Sequence, residues 1–164
     1  MKKAAIKGAL VVLLGTSSMA GMTNVYLGAG SAKLNQGKYK LSGNMGIELL
    51  EYNDKDQKGI VYGAGVDASV YGVENNETGK MIAFTARVGY DFAGSTMAPV
   101  KATIGGGYQF SRVNGEGVQN PIYDAQINYT LKDNTILGVK AQYSPDSDKE
   151  KKLTNVFLFV GKHF

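Results

Sequence analysis

The sequence predicts an all-β fold, an eight-stranded antiparallel up-and-down barrel, on three observations. Stretches of alternating apolar and polar residues recur about every 18 residues. Turns rich in Asn, Asp, Gly and Pro separate them. Beyond residue 20, no segment approaches the roughly 20-residue apolar run that a membrane helix needs.

The first twenty residues stand apart from the repeats. Lys2, Lys3 and Lys7 make a basic start, Ala9–Leu14 forms a short apolar run, and Ser18-Met19-Ala20 offers small residues where a signal peptidase cuts. This order predicts a secretory leader over 1–20, leaving one domain over 21–164. The leader also carries most of the excess charge. The chain has 18 Lys+Arg and 14 Asp+Glu, and removing three lysines leaves 15 against 14, or +1. No basic stripe remains to bind nucleic acid. With no cysteine and one histidine, His163, neither a disulfide framework nor a multi-histidine or thiolate metal site can form. No cofactor is expected. An exported chain without disulfides needs another means of holding itself together, and a closed hydrogen-bonded ladder supplies one.

The strands are expected near 23–32, 40–51, 60–72, 81–92, 100–112, 122–132, 135–144 and 154–164. Between them lie the turn segments 53–59, 74–79, 114–117 and 132–134, with Pro99, Pro121 and Pro145 at strand edges. Sorting each strand by parity separates two faces. One carries Leu41, Met45, Ile47, Ile60, Val66, Val70, Ile82, Val88, Ile104, Ile127, Leu137, Val139 and Leu158, with Lys162 as its one charge. The other carries Lys40, Glu48, Asp67, Arg87, Asp91, Lys101, Asp124, Lys132 and Lys140. The first strand is ambiguous, because Val25, Leu27 and Ala29 compete with Tyr26 and Ala32.

Alternation alone fits two architectures. A periplasmic lipocalin-like barrel turns its apolar face inward around an apolar ligand, whereas a membrane barrel turns it outward into lipid. Glycines on the polar parity (Gly63, Gly65, Gly89, Gly105, Gly107, Gly138, Gly161) suit the crowded interior of eight strands rather than an open exterior. Aromatics on the apolar parity sort by depth. Tyr62, Tyr90, Phe92, Tyr129 and Phe164 fall toward one rim, and Tyr108, Phe110, Tyr123 and Tyr143 toward the other, as bilayer interfaces favour. A transmembrane barrel in the bacterial outer membrane is therefore expected.

The last strand, with Val156, Leu158, Val160 and a terminal Phe164, resembles the carboxy-terminal signal read by the barrel-assembly machinery, departing from it at Lys162. With the leader, the eight repeats and the aromatic girdles, the chain resembles the small outer-membrane barrels of the OmpA, OmpX and opacity-protein type. That resemblance implies a monomer in outer-membrane lipid, delivered by periplasmic chaperones, with short periplasmic turns, longer outer loops and no through-pore. A structural or surface-interaction role follows from it. A narrow passive pore is the other membrane reading.

Catalysis finds little support. Barrel enzymes that act on lipid pair a histidine with a serine on the outer rim, whereas His163 falls on the lumen parity at the opposite end. No nucleophile elbow, phosphate-binding loop or paired-carboxylate motif stands elsewhere. Asn76 lies in an acidic glycosylation-like pattern, Glu74–Thr78, in an expected outer loop. The lumen charges carry more physical content, since buried charges persist only when paired. At roughly 3.3 Å per residue, Arg87 lies between Glu48 and Asp67 in height, with Lys140 facing them from across the barrel. The four are expected to form an ionic plug.

Overall fold

The computed structural model describes residues 22–35, 37–53, 59–73, 77–92, 99–113, 115–145 and 152–164. The expected leader, Asn76 and residues 54–58 of the turn 53–59 lie outside these. Eight strands follow one another: β1 (Met22–Leu34), β2 (Lys40–Tyr52), β3 (Gly59–Gly72), β4 (Thr78–Asp91), β5 (Val100–Val113), β6 (Glu116–Thr130), β7 (Thr135–Ser144) and β8 (Leu153–His163). Each pairs antiparallel with its neighbours in sequence, and β8 returns to β1, so the sheet closes without an edge. At the seam, the Phe164 amide donates to the Thr23 carbonyl at 2.9 Å and the Thr23 amide to the Phe164 carbonyl at 3.2 Å.

The register fixes the tilt of the strands. Pairing leads from Asn24 to Glu48, Gly65, Thr85, Gly107 and Ile122. One residue beyond the last β6–β7 pair it reaches Ser144, then Leu153 and Leu34. One circuit thus climbs β1 from residue 24 to residue 34. Ten residues of rise over eight inter-strand spacings correspond to a tilt of about 40°. The interior is then just wide enough for side chains to fill.

The apolar parity faces outward on every strand, which settles the two architectures in favour of an outward apolar wall. On β1 the ambiguity resolves with Val25 and Leu27 exposed and Met22, Asn24, Tyr26 and Ala32 inside. Two details depart from the sequence reading. First, β6 begins at Glu116 rather than near 122, so Pro121 lies within the strand. It is tolerated because the β6–β7 ladder stops at Tyr123↔Tyr143, and the same register would set Pro121 opposite Pro145. The Pro121 carbonyl accepts instead from the Ser144 hydroxyl at 2.7 Å. Two prolines thus end one ladder where neither amide is needed.

Second, β6 stops at Thr130, which leaves Lys132 in the turn to β7 rather than in the lumen. Asp133 organises that turn. Its carboxylate accepts from the Thr135 hydroxyl at 2.7 Å and the Thr135 amide at 3.1 Å, and these bonds hold it below the usual carboxylate range. Asn134 follows at φ 64°. Lys162 reaches the Asp133 carbonyl and lies 3.9 Å from its carboxylate, so the one charge on the outward face of β8 is met at the rim.

The resemblance implied longer loops at one mouth, and the connections do not show them. The mouth that holds the start of β1 and the end of β8 has connections 53–58, 92–99 and 131–134, and the opposite mouth has 35–39, 73–77, 114–115 and 145–152. The shortest, 114–115, leaves two residues between β5 and β6. There Gly115 takes φ 83°, which a tight antiparallel turn requires and a side chain would resist.

Candidate functional site

The inside of the barrel is layered from one mouth to the other. Near the start of β1 and the end of β8, Lys101 lies 3.5 Å from Asp91, whose carboxylate also accepts from the Tyr52 hydroxyl at 2.6 Å. Leu50, Val61 and Met22 pack beside them. His163 stands at this mouth, half-buried, with Nδ1 3.0 Å from Asn24 Oδ1. It is a polar rim residue tied to an amide.

Above this layer, Arg87 occupies the centre. Its Nη1 donates to Glu48 Oε1 at 2.6 Å and its Nη2 to Asp124 Oδ2 at 2.7 Å, with Asp67 Oδ2 at 3.4 Å. The Thr85 hydroxyl accepts from Nε at 3.2 Å. Lys140 enters from β7 and donates to Asp67 Oδ2 at 2.5 Å and to the Tyr26 hydroxyl at 2.8 Å, while its Nζ lies 5.3 Å from the Tyr26 ring centroid. Tyr26 in turn donates to Asp67 Oδ1. Gln126 bridges the two sides, accepting from Arg87 at 3.2 Å and donating to Glu48 at 3.1 Å. The side chains of Arg87, Glu48, Asp124 and Lys140 have no exposed surface. Tyr26 fits because residue 46 opposite is glycine, where a Cβ would stand 2.4 Å from the tyrosine ring.

Glu48, Asp67, Arg87 and Lys140, the four expected to form an ionic plug, are linked through Arg87 and Asp67. Two members were not foreseen. Asp124 was placed on the polar parity but outside the network, because height counted straight up each strand omits the climb of the tilted register. Tyr26 was hidden by the ambiguity of β1. Its signal was available in the small residue Gly46 at the paired position.

The next layer is built of amides and hydroxyls. Asn155 Nδ2 donates to Asn44 Oδ1 at 2.7 Å and to Gln142 at 3.1 Å, while Ser69 donates to Asn44 at 2.6 Å and Ser42 to Asn155 at 2.9 Å. At the far mouth the lumen turns apolar. Ala32, Tyr71, Met81, Ala83, Val113, Ile122 and Leu153 form one buried cluster on the parity that elsewhere carries the polar residues. Phe157 and Phe159 add a second apolar patch beside Tyr26.

On the outer wall all nine expected girdle residues point outward. Tyr62, Tyr90, Phe92, Tyr129 and Phe164 lie toward the mouth holding the start of β1, and Tyr108, Phe110, Tyr123 and Tyr143 lie toward the other. With the tilt included, about 20 Å of height separates the groups. Tyr123 and Tyr143 are directly paired, and the rings of Tyr90 and Phe92 approach to 4.9 Å. Val156, Leu158, Val160 and Phe164 are exposed on the outward face.

No protein-family model and no curated protein matches the chain. Solved structures do. The attachment invasion locus protein Ail of Yersinia pestis is 16% identical, with a TM-score of 0.55, over 89% of this chain and 100% of that one. Neisserial surface protein A is 17% identical, with a TM-score of 0.58, over 89% and 98%. The outer membrane enzyme PagL is 13% identical, with a TM-score of 0.64, over 85% and 98%. At such identity the likeness concerns shape, and that shape is the fold of the small eight-stranded outer-membrane barrels.

Proposed function

We propose that this chain is a structural barrel of the bacterial outer membrane, closed to through-flow and without a catalytic role. The observation that carries the reading is the pairing of an apolar exterior with a filled interior. A wall exposing Leu27, Leu41, Ile104 and Leu158 needs lipid around it. An ionic layer, an amide layer and an apolar cluster stacked along one axis leave an ion no hydrated route. A periplasmic ligand-binding barrel would instead keep its apolar surface and a vacancy inside.

The mouth holding the start of β1 and the end of β8 is read as periplasmic, because an exported chain reaches the membrane from that side. The likeness to PagL raises hydrolysis as a second reading. Against it, the one histidine of the chain stands at the periplasmic mouth, bound to Asn24. Delivery by periplasmic chaperones and insertion by the barrel-assembly machinery, with Phe164 as part of the signal, belong to the same proposal, as does a monomeric state.

Planar bilayers test the closed lumen. The purified protein should give no discrete conductance steps, and regular openings would support the passive-pore reading. Fractionation should recover the protein with the outer-membrane pellet, and unheated samples should run faster than boiled ones on detergent gels. Recovery in osmotic-shock fluid would refute membrane insertion.

A further inference from the structure

The rim opposite the start of β1 carries cations on the outward wall. Lys33 lies near the end of β1, Lys80 near the start of β4, Arg112 near the end of β5, and Lys152 precedes β8. With the tilt included, all four lie within about 3 Å of one level, just above the apolar belt. Two of them are directly opposite. Lys80 and Arg112 are cross-strand partners, and both point outward, above the outward pair Ile82 and Phe110. Like charges placed directly opposite repel and weaken a sheet. The Arg112 Nε donates to the Gly115 carbonyl at 3.3 Å, and among the described residues neither Lys80 nor Arg112 forms an ion pair. At the other mouth the outward cation Lys162 is met by Asp133, so the two rims differ in kind.

From this juxtaposition we infer that Lys80 and Arg112 together clamp a phosphate group of a lipid headgroup in the outer leaflet. Side chains on directly paired residues start about 5 Å apart and can converge on one phosphate, the guanidinium in bidentate fashion and the ammonium as a point charge. The lipid's chains would then descend over Ile82, Phe84, Tyr108 and Phe110, where Phe84 and Phe110 already meet edge to face at 6.3 Å. Lys33 and Lys152, 5.5 Å and 5.2 Å from the rings of Tyr39 and Tyr143, hold the same level on the far side. The assignment rests on the orientation given above, in which this mouth faces outward.

The test uses the full mature barrel in non-ionic detergent, titrated with bis-phosphorylated lipid A and followed by native mass spectrometry. The wild type should retain one lipid molecule. The dephosphorylated lipid, and the double variant Lys80→Gln/Arg112→Gln with intact lipid, should each bind about tenfold or more weakly. Inorganic phosphate should compete, and Lys38→Gln, in the β1–β2 connection at the same mouth, should change nothing.

Thermal unfolding gives a second readout. In lipid-free micelles Lys80→Gln should be at least as stable as wild type, since a repulsion is gone, whereas with lipid A present it should be less stable. Equal binding by the double variant or by the dephosphorylated lipid would overturn the phosphate clamp, and equal binding by phosphatidylglycerol would overturn its assignment to an outer-leaflet lipid. Orientation is checked separately by labelling Gly117→Cys on intact cells with an impermeant maleimide. Absence of labelling would refute the orientation while leaving the micelle result to stand or fall alone.

Discussion

Replacing Arg87 with alanine should be the most damaging single change to the barrel interior. The guanidinium lies 2.6, 2.7 and 3.4 Å from three carboxylates, of Glu48, Asp124 and Asp67, and its side chain has no contact with solvent. After truncation, Lys140 alone faces all three acids, and it reaches Asp67 at 2.5 Å but Asp124 only at 3.9 Å. Glu48 would keep only neutral donors, Gln126 at 3.1 Å and Asn24 at 3.3 Å. Breaking a buried pair by removing one partner costs about 3–5 kcal/mol. With a urea slope of about 2 kcal/mol per molar, the unfolding midpoint should fall by roughly 2 M. The assay is equilibrium unfolding in micelles, followed by circular dichroism and by the loss of fast gel mobility. A double-mutant cycle joining Arg87→Ala to Glu48→Ala should show coupling well above the few tenths of a kcal/mol typical of distant sites. A midpoint within 0.3 M of wild type, or an additive cycle, would refute the claim that this pair is dry and mutually dependent.

Val88 faces outward at mid-wall, so Val88→Arg should destabilise the barrel in lipid by about 2–4 kcal/mol, and a neutral result would mean that this face meets water. Gly46→Ala should cost about 1–3 kcal/mol, because its Cβ would crowd both the Tyr26 ring and, at 2.7 Å, Asp67 Oδ1; chemical unfolding measures it. The central layer sets three carboxylates against two cations, and among the described residues Asp124 Oδ1 has no hydrogen-bond donor. Asp124→Asn should therefore change stability by less than about 1 kcal/mol, whereas Glu48→Gln should lose about 2 kcal/mol or more in the same unfolding assay. Mass spectrometry of envelope protein should find a mature chain beginning at Gly21, and a retained 1–20 segment would refute the leader.

The architecture was legible because a two-residue period needs no tertiary information. Once Ile82, Phe84, Val88 and Tyr90 share a parity against Arg87 and Asp91, β4 has two faces whatever surrounds it. The boundaries were less legible for a physical reason. Pro121 reads as a strand breaker when strands are treated singly. It is harmless in β6 because a strand has two sides, and the side toward β7 had already run out of partners at Tyr143. Lys132 read as a continuation of alternation, but Asp133 and Asn134 had local bonds to make that outcompeted one more ladder pair.

The interior was legible in kind and not in membership, and the difference comes from the tilt. Parity tells which side chains point inward but says nothing of who meets whom, because meeting depends on height around the whole barrel. Glu48, Asp67 and Arg87 sit on adjacent strands, where the climb is small and simple counting works. Asp124 lies two strands from Arg87, and its height follows only once the circuit from Asn24 to Leu34 is known. Tyr26 poses the same problem in reverse, since its tip reaches Asp67 two strands away over a glycine that carries no pattern of its own. The apolar cluster at the mouth opposite the start of β1 was invisible for another reason. Tyr71, Met81 and Leu153 lie near strand ends, where one inward apolar residue beside a turn carries no pattern of its own. Only closure, which brings breaks on β1, on β3 to β6 and on β8 together at one mouth, turns them into a lid over a charged core.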